Sequence, residues 1–176
     1  MLAPPPILRH TRALTHPEGG RMTARPDIAA LARRLHEGQF DKAGKPYVGH
    51  IERVVANLLN RWPDAGADEI DAAWLHDAIE DCGVTEQSLR ALGVSGETCR
   101  IVAAVTRPAG SDYLDWIGTL ARSGDRAVIR VKLADNEDNR APERVAAWED
   151  GPQRLATRYE PARRLLEAGL AACEGA

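Results

Sequence analysis

Apolar residues recur every three or four positions along most of this chain, the spacing of helices that bury one face. Ile28, Leu31, Ala32 and Leu35 form the first stripe, which follows Pro26–Asp27 and stops at Gly38. Ile51, Val54, Val55, Leu58 and Leu59 form the second, stopped by Pro63. Ile70, Ala73, Trp74, Ala78 and Ile79 predict a third helix that runs on to Gly83 with His76 and Asp77 inside it. Thr85 heads a short helix to Leu92, with Ser88 where a full capping box has Glu or Gln. Further helices are expected over about 95–106, 113–121 and 152–172. Residues 126–139 are dense in Val and Ile, but no partner strand is evident, so they too read as helix. Residues 39–48, with Gly44 and Pro46, read as a loop. The expected fold class is all-α, a helical bundle.

Composition agrees with that picture. Alanine is abundant and aromatics are few, which favours helix over sheet. The 176 residues suit one domain with a real core, and 23 basic against 26 acidic side chains leave a net charge of −3. An acidic balance argues against a nucleic acid or an anionic membrane as partner, although a local basic pocket could still hold a phosphorylated small molecule. No run of about 18 apolar residues exists to span a bilayer. Cys82, Cys99 and Cys173 cannot all pair with one another, and read as free thiols of a cytoplasmic protein. Residues 1–22 hold Pro4, Pro5, Pro6 and Pro17 and no apolar period. They read as a disordered or loosely attached extension, in which His10 and His16 have no pre-organised metal role.

Ionisable side chains gather in four places. His76 and Asp77 stand side by side in an apolar helix, an imidazole and a carboxylate able to converge on one divalent ion such as Mn²⁺, Fe²⁺ or Zn²⁺. Glu80 lies four residues after His76 and Asp81 four after Asp77. Such a cluster is either a solvated helix end or a carboxylate pair placed to deprotonate water near a metal. His50 opens the second helix after a loop and is a possible third ligand. Asp135 and Asn139 share one helical face, so Asp135 could close the ligand shell and Asn139 could bond a ligand beside it.

The order His50 … His76–Asp77 … Asp135 resembles the H…HD…D set of the HD-domain metal-dependent phosphohydrolases. Longer blocks narrow the likeness. His36-Glu-Gly-Gln-Phe-Asp-Lys-Ala-Gly-Lys-Pro-Tyr-Val-Gly-His50 is similar to the H-x-G-Q-x-R-K-x-G-x-P-Y-I-x-H segment of RelA/SpoT-type guanosine tetraphosphate hydrolases. Leu75-His-Asp-Ala-Ile-Glu-Asp81 resembles their L-H-D-x-[VI]-E-D, and Val131-Lys-Leu-Ala-Asp135 with Asn139 their V-K-L-A-D-x-x-x-N. The blocks lie in the family's order over about residues 27–140. The length fits the small stand-alone alarmone hydrolases better than the long bifunctional enzymes.

The resemblance implies an HD phosphohydrolase domain over residues 23–176. His50, His76, Asp77 and Asp135 would hold one divalent ion, Mn²⁺ by preference. Glu80 and Asp81 would activate and steer the attacking water, Lys42 would meet the substrate, and Asn139 the nucleotide. The reaction implied is hydrolysis of the 3′-diphosphate of a guanosine tetraphosphate-type alarmone with release of pyrophosphate. His36 would pack or brace the loop. Three places depart from the pattern. Asp41 replaces the Arg of the R-K pair, removing a planar cation associated with the purine ring. Cys82 stands where Thr is usual. Asn136-Glu-Asp-Asn139 replaces Arg-Leu-His-Asn, so Glu137 and Asp138 add charge that could meet Lys or Arg, a ribose or a second ion. An HD phosphohydrolase of another nucleotide, a nucleoside phosphate or NADPH, is therefore the alternative.

Overall fold

The structure, a computed structural model, describes residues 26–175, and the extension read over residues 1–22 lies outside them. Among the described residues every regular element is helical, and the one β feature is a bridge between Phe40 and Pro46 that pinches the loop before the second helix. In chain order the helices are α1 (Ile28–Leu35), α2 (Val48–Arg61), α3 (Ala67–Leu75), α4 (Ala78–Asp81), α5 (Glu86–Ala91), α6 (Gly96–Val105), α7 (Tyr113–Arg122), α8 (Arg126–Asn139), α9 (Pro142–Ala146), α10 (Gly151–Arg154) and α11 (Glu160–Glu174). The all-α expectation therefore stands.

Side-chain caps set several starts. Asp27, Thr85, Ser95, Asp112 and Asp125 each accept backbone N–H groups of the turn that follows, satisfying donors that have no helical partner. At Thr85 the capping box is complete after all. Ser88 N–H donates to the Thr85 hydroxyl at 3.1 Å, and Thr85 N–H donates to Ser88 Oγ at 2.8 Å. A serine hydroxyl thus does what Glu does in the longer motif.

The centre of the bundle is α8. It packs against α2, α3, α6 and α11, and Val128, Ile129, Val131, Leu133 and Ala134 are all buried. A helix enclosed on nearly every side needs no polar face, which explains why its Val and Ile show no single stripe. Four of its charged residues, Arg130, Lys132, Asp135 and Asp138, are buried too. Arg130 lies over the Trp62 ring and faces Asp64 and Glu69, while Lys132 lies 4.8 Å from the centre of the Trp116 ring.

Two expectations need correction. The third helix is not continuous. It ends at Leu75, and a new turn starts at Ala78, with Asp77 at φ −102° and ψ 0° between them. The last helix is interrupted as well: residues 155–159 form a π turn between α10 and α11, and α9 is an additional short helix. The extra residue of a π turn rotates the side chains that follow, here at a cavity wall.

One packing contact fixes how closely α11 approaches α7. A Cβ on Gly169 would come within 2.3 Å of the Ala121 carbonyl oxygen. On an isolated helix Gly→Ala stabilises by about 1 kcal/mol. Here Gly169→Ala is expected to destabilise by about 1–3 kcal/mol, because backbone must move to admit the methyl. Urea unfolding measures this, and a variant as stable as the parent would contradict the close approach.

Candidate metal centre

Four ligand-type side chains from three helical segments meet at one point. His50 comes from the first turn of α2, His76 and Asp77 from the break between α3 and α4, and Asp135 from the last turns of α8. Ligand atoms of His50, His76 and Asp135 lie within 4.8 Å of one another. Asp77 completes the set, with Oδ2 3.0 Å from His76 Nε2 and 3.5 Å from His50 Nε2. The helix break makes this possible. Adjacent residues of an unbroken helix point about 100° apart, and the changed backbone at Asp77 lets both neighbours face inward.

Each ligand is held from behind. His76 Nδ1 donates to the Ala73 carbonyl at 2.8 Å, which leaves Nε2 facing the centre, buried and without a hydrogen bond of good geometry. His50 Nδ1 donates to Asp138 Oδ2 at 2.6 Å. The Tyr47 hydroxyl donates to Asp77 Oδ2 at 2.6 Å. Asp135 divides its oxygens, taking Lys132 Nζ at 2.7 Å on Oδ2 and Asn139 Nδ2 at 2.6 Å on Oδ1.

The donor set fits a divalent cation. Two imidazole nitrogens and two carboxylates in a buried site suit a borderline or hard ion. Burial opposes charge on His76, but Asp77 and Asp135 outweigh it and raise the ring to about 9. Burial also opposes charge on Asp77, and the two histidines still hold its carboxyl well below the usual range. The buried Asp135 and the partly buried Asp77 thus call for positive charge between them, which a metal ion would provide.

His50, Asp77 and Asp135 open onto a cavity of about 140 Å³ that Glu80, Asp81 and Asn139 also line. Burial, then the neighbouring Asp77 and Glu80 charges, lift Asp81 to about 6. Glu80 Oε2 accepts the Arg107 backbone N–H at 3.4 Å. Arg107, Lys132 and Arg158 add cations to the walls, and Tyr113, Trp116 and Tyr159 add rings. Of these, only Lys132 lay in a quoted motif, three residues before Asp135. Arg107 and Arg158 come from segments whose spacing carries no signal. The π turn sets Tyr159 against the cavity, and its carbonyl accepts Asn136 Nδ2 at 3.1 Å.

Lys42 is not part of this cavity. It lies in a neighbouring one, with Asp41, Lys45, Arg53, Glu143, Arg144 and Trp148. Arg144 stands between the two, donating to Asn139 Oδ1 at 3.0 Å and lying 3.9 Å from Asp41. Asp41 turns into its own loop, where Oδ1 accepts the Ala43 and Lys45 N–H groups at 2.9 Å each. His36 braces the loop as expected, bonded to Gln39 at 2.7 Å and stacked on Tyr47. Of the two added acids, Glu137 is exposed, whereas Asp138 is buried behind His50.

A helical bundle that turns two histidines and two aspartates onto one point has the architecture of the HD-domain metal-dependent phosphohydrolases. Within that class the likeness is to the guanosine-3′,5′-bis(diphosphate) 3′-pyrophosphohydrolases. The chain is 33% identical over 129 residues to the one from Vibrio cholerae serotype O1, covering 65% of this chain and 18% of that protein. It is 42% identical over 121 residues to the one from Haemophilus influenzae, covering 62% and 17%. A probable enzyme of the same name from Synechocystis is 35% identical over 120 residues, covering 62% and 15%. The chain thus spans less than a fifth of the length of these curated relatives. A solved structure described as a metazoan ortholog of SpoT that hydrolyzes ppGpp superposes with a TM-score of 0.58 at 22% identity, covering 83% of this chain and 90% of the other. That match shows the fold. No family model matches the chain.

Proposed function

We propose that the protein is a metal-dependent phosphohydrolase that removes the 3′-diphosphate of guanosine tetraphosphate-type alarmones as pyrophosphate. The observation that carries this reading is the convergence of His50, His76, Asp77 and Asp135 beside Glu80 and Asp81 in one cavity with cationic walls. His50, His76, Asp77 and Asp135 would hold the ion, with Mn²⁺ the preferred species. When bound, the ion supplies Lewis acidity, lowering the pKa of water at the site and offsetting charge on the phosphoryl oxygens. Asp81 and Glu80 orient the attacking water and take its proton. Lys132, Arg107 and Arg158 balance the negative charge of the phosphates, and Asn139 offers its amide to the nucleotide. One water is consumed, the bond between phosphorus and the 3′ oxygen breaks, and no covalent enzyme intermediate forms. A small nucleotide is the partner, with neither nucleic acid nor membrane required, and free cysteines suit the cytoplasm. Among the described residues no helix is long and apolar enough to cross a membrane.

Asp41 supports a second reading, a different nucleotide such as a nucleoside phosphate or NADPH. At this position the chain offers a loop-bound carboxylate and no planar cation for a purine. One experiment separates the two. Protein stripped with a chelator is expected to be inactive, and Mn²⁺ to restore pyrophosphate release from guanosine tetraphosphate. If that substrate stays inert while another member of a nucleotide panel is hydrolysed, the second reading replaces the first.

A further inference from the structure

We propose that Asp138 is a positioning residue for His50, an assignment that rests on the metal-site reading above. Asp138 lies one turn beyond Asp135 on α8, on the same face, at a position where the chain departs from the family pattern. Both partners are 2% exposed, and Asp138 Oδ2 accepts His50 Nδ1–H at 2.6 Å. The contact does three things. It favours the tautomer with the proton on Nδ1, so the lone pair sits on Nε2. It aims Nε2 at the centre, 3.5 Å from both Asp77 and Asp135 oxygens. It also places a fixed negative charge behind the ring, which makes Nε2 a stronger donor to a metal.

The carboxylate is itself held in place. Arg53 Nε donates to Oδ1 at 2.5 Å, and Arg144 Nε lies 3.3 Å from Oδ2. Asp138 lines neither the metal cavity nor its neighbour, so it acts on the reaction through the side chains it holds, His50 directly and Asn139 by way of Arg144. A second ion beside it is disfavoured, because both of its oxygens already face imidazole and guanidinium groups.

The test measures Mn²⁺ binding to metal-free protein by calorimetry, without substrate. Asp138→Asn keeps the shape and removes the charge, and is expected to weaken Mn²⁺ by about 10–100-fold. Arg53→Met removes one of Asp138's two arginine partners but leaves the His50 contact, and is expected to bind Mn²⁺ nearly as the parent does. Parental affinity in Asp138→Asn overturns the assignment, as does an equal loss in both variants, which would make Asp138 a mere arginine partner. If the parent binds no Mn²⁺, the metal reading fails first and the inference with it. ¹⁵N spectra of the histidines give a readout that needs no variant: His50 of the parent must carry its proton on Nδ1, and the opposite tautomer refutes the proposal.

Discussion

Asp77→Ala is expected to bring pyrophosphate release down to the level of metal-free protein. Asp77 lies 3.0 Å from His76 Nε2, closer than Asp135 at 3.8 Å, and 3.5 Å from His50 Nε2, as near as Asp135 does. Without it the centre keeps one carboxylate, Asp135, and that one is already shared with Lys132 and Asn139. Loss of an outer partner of a metal ligand costs about 10–100-fold in affinity or activity. Loss of a ligand itself should exceed that range. The fold should persist, because Asp77 lies in a break between helices and not in the apolar core. The orphaned Tyr47 hydroxyl costs stability of about 1–3 kcal/mol. Three measurements are needed together: the steady-state rate, the metal content of the purified variant, and its helical circular dichroism. A folded variant that retains metal and more than a tenth of the parental rate would remove Asp77 from the centre.

How much of this was legible in the sequence depended on whether the determinant was local. Stripes such as Ile51, Val54, Val55 and Leu58 mark α2 because that helix meets the core on one side only. No stripe marks α8, which the core surrounds, and its helical state followed only from the lack of a partner strand. The break at His76–Asp77 has no local sign. Alanine, leucine and glutamate around it all favour helix, and the backbone departs from helix at the point where two side chains must meet Asp135. The proposed ligands could be named because two histidines and two aspartates stand in an ordered set that resembles a known family's. Their supports could not. Asp138 is one turn from Asp135 and so within reach of inference, but its partner His50 is 88 residues away. Arg107 and Arg158 reach the cavity from segments that carry only an arginine in an ordinary helical or turn context. Lys42 shows what a motif leaves open. The resemblance gave it as a substrate contact, and the loop sets it in the neighbouring cavity and not among the groups that line the metal site.

The position of Asp81 leads to a pH dependence whose sign is definite. In the proposed role of general base, its carboxyl must be ionised to accept a proton from water. Burial and the nearby Asp77 and Glu80 charges raise it to about 6, which favours the protonated form below that pH. The rate constant kcat/KM should therefore rise with pH through an acid limb. A bound cation would favour the ionised form, so the limb is expected at or below pH 6 and not above it. Asp81→Asn keeps the size of the side chain and removes the base. It is expected to lower kcat by about 10²–10⁴-fold, with Mn²⁺ affinity little changed, since Asp81 is not among the converging ligands. The residual activity should lose the limb. Glu80→Gln, measured beside it, divides the labour between the two carboxylates. If Asp81→Asn keeps both the rate and the limb while Glu80→Gln loses them, the base is Glu80 and Asp81 only steers. If both variants lose metal along with activity, the pair belongs to the ligand shell, and the proposed division between ligands and base is wrong.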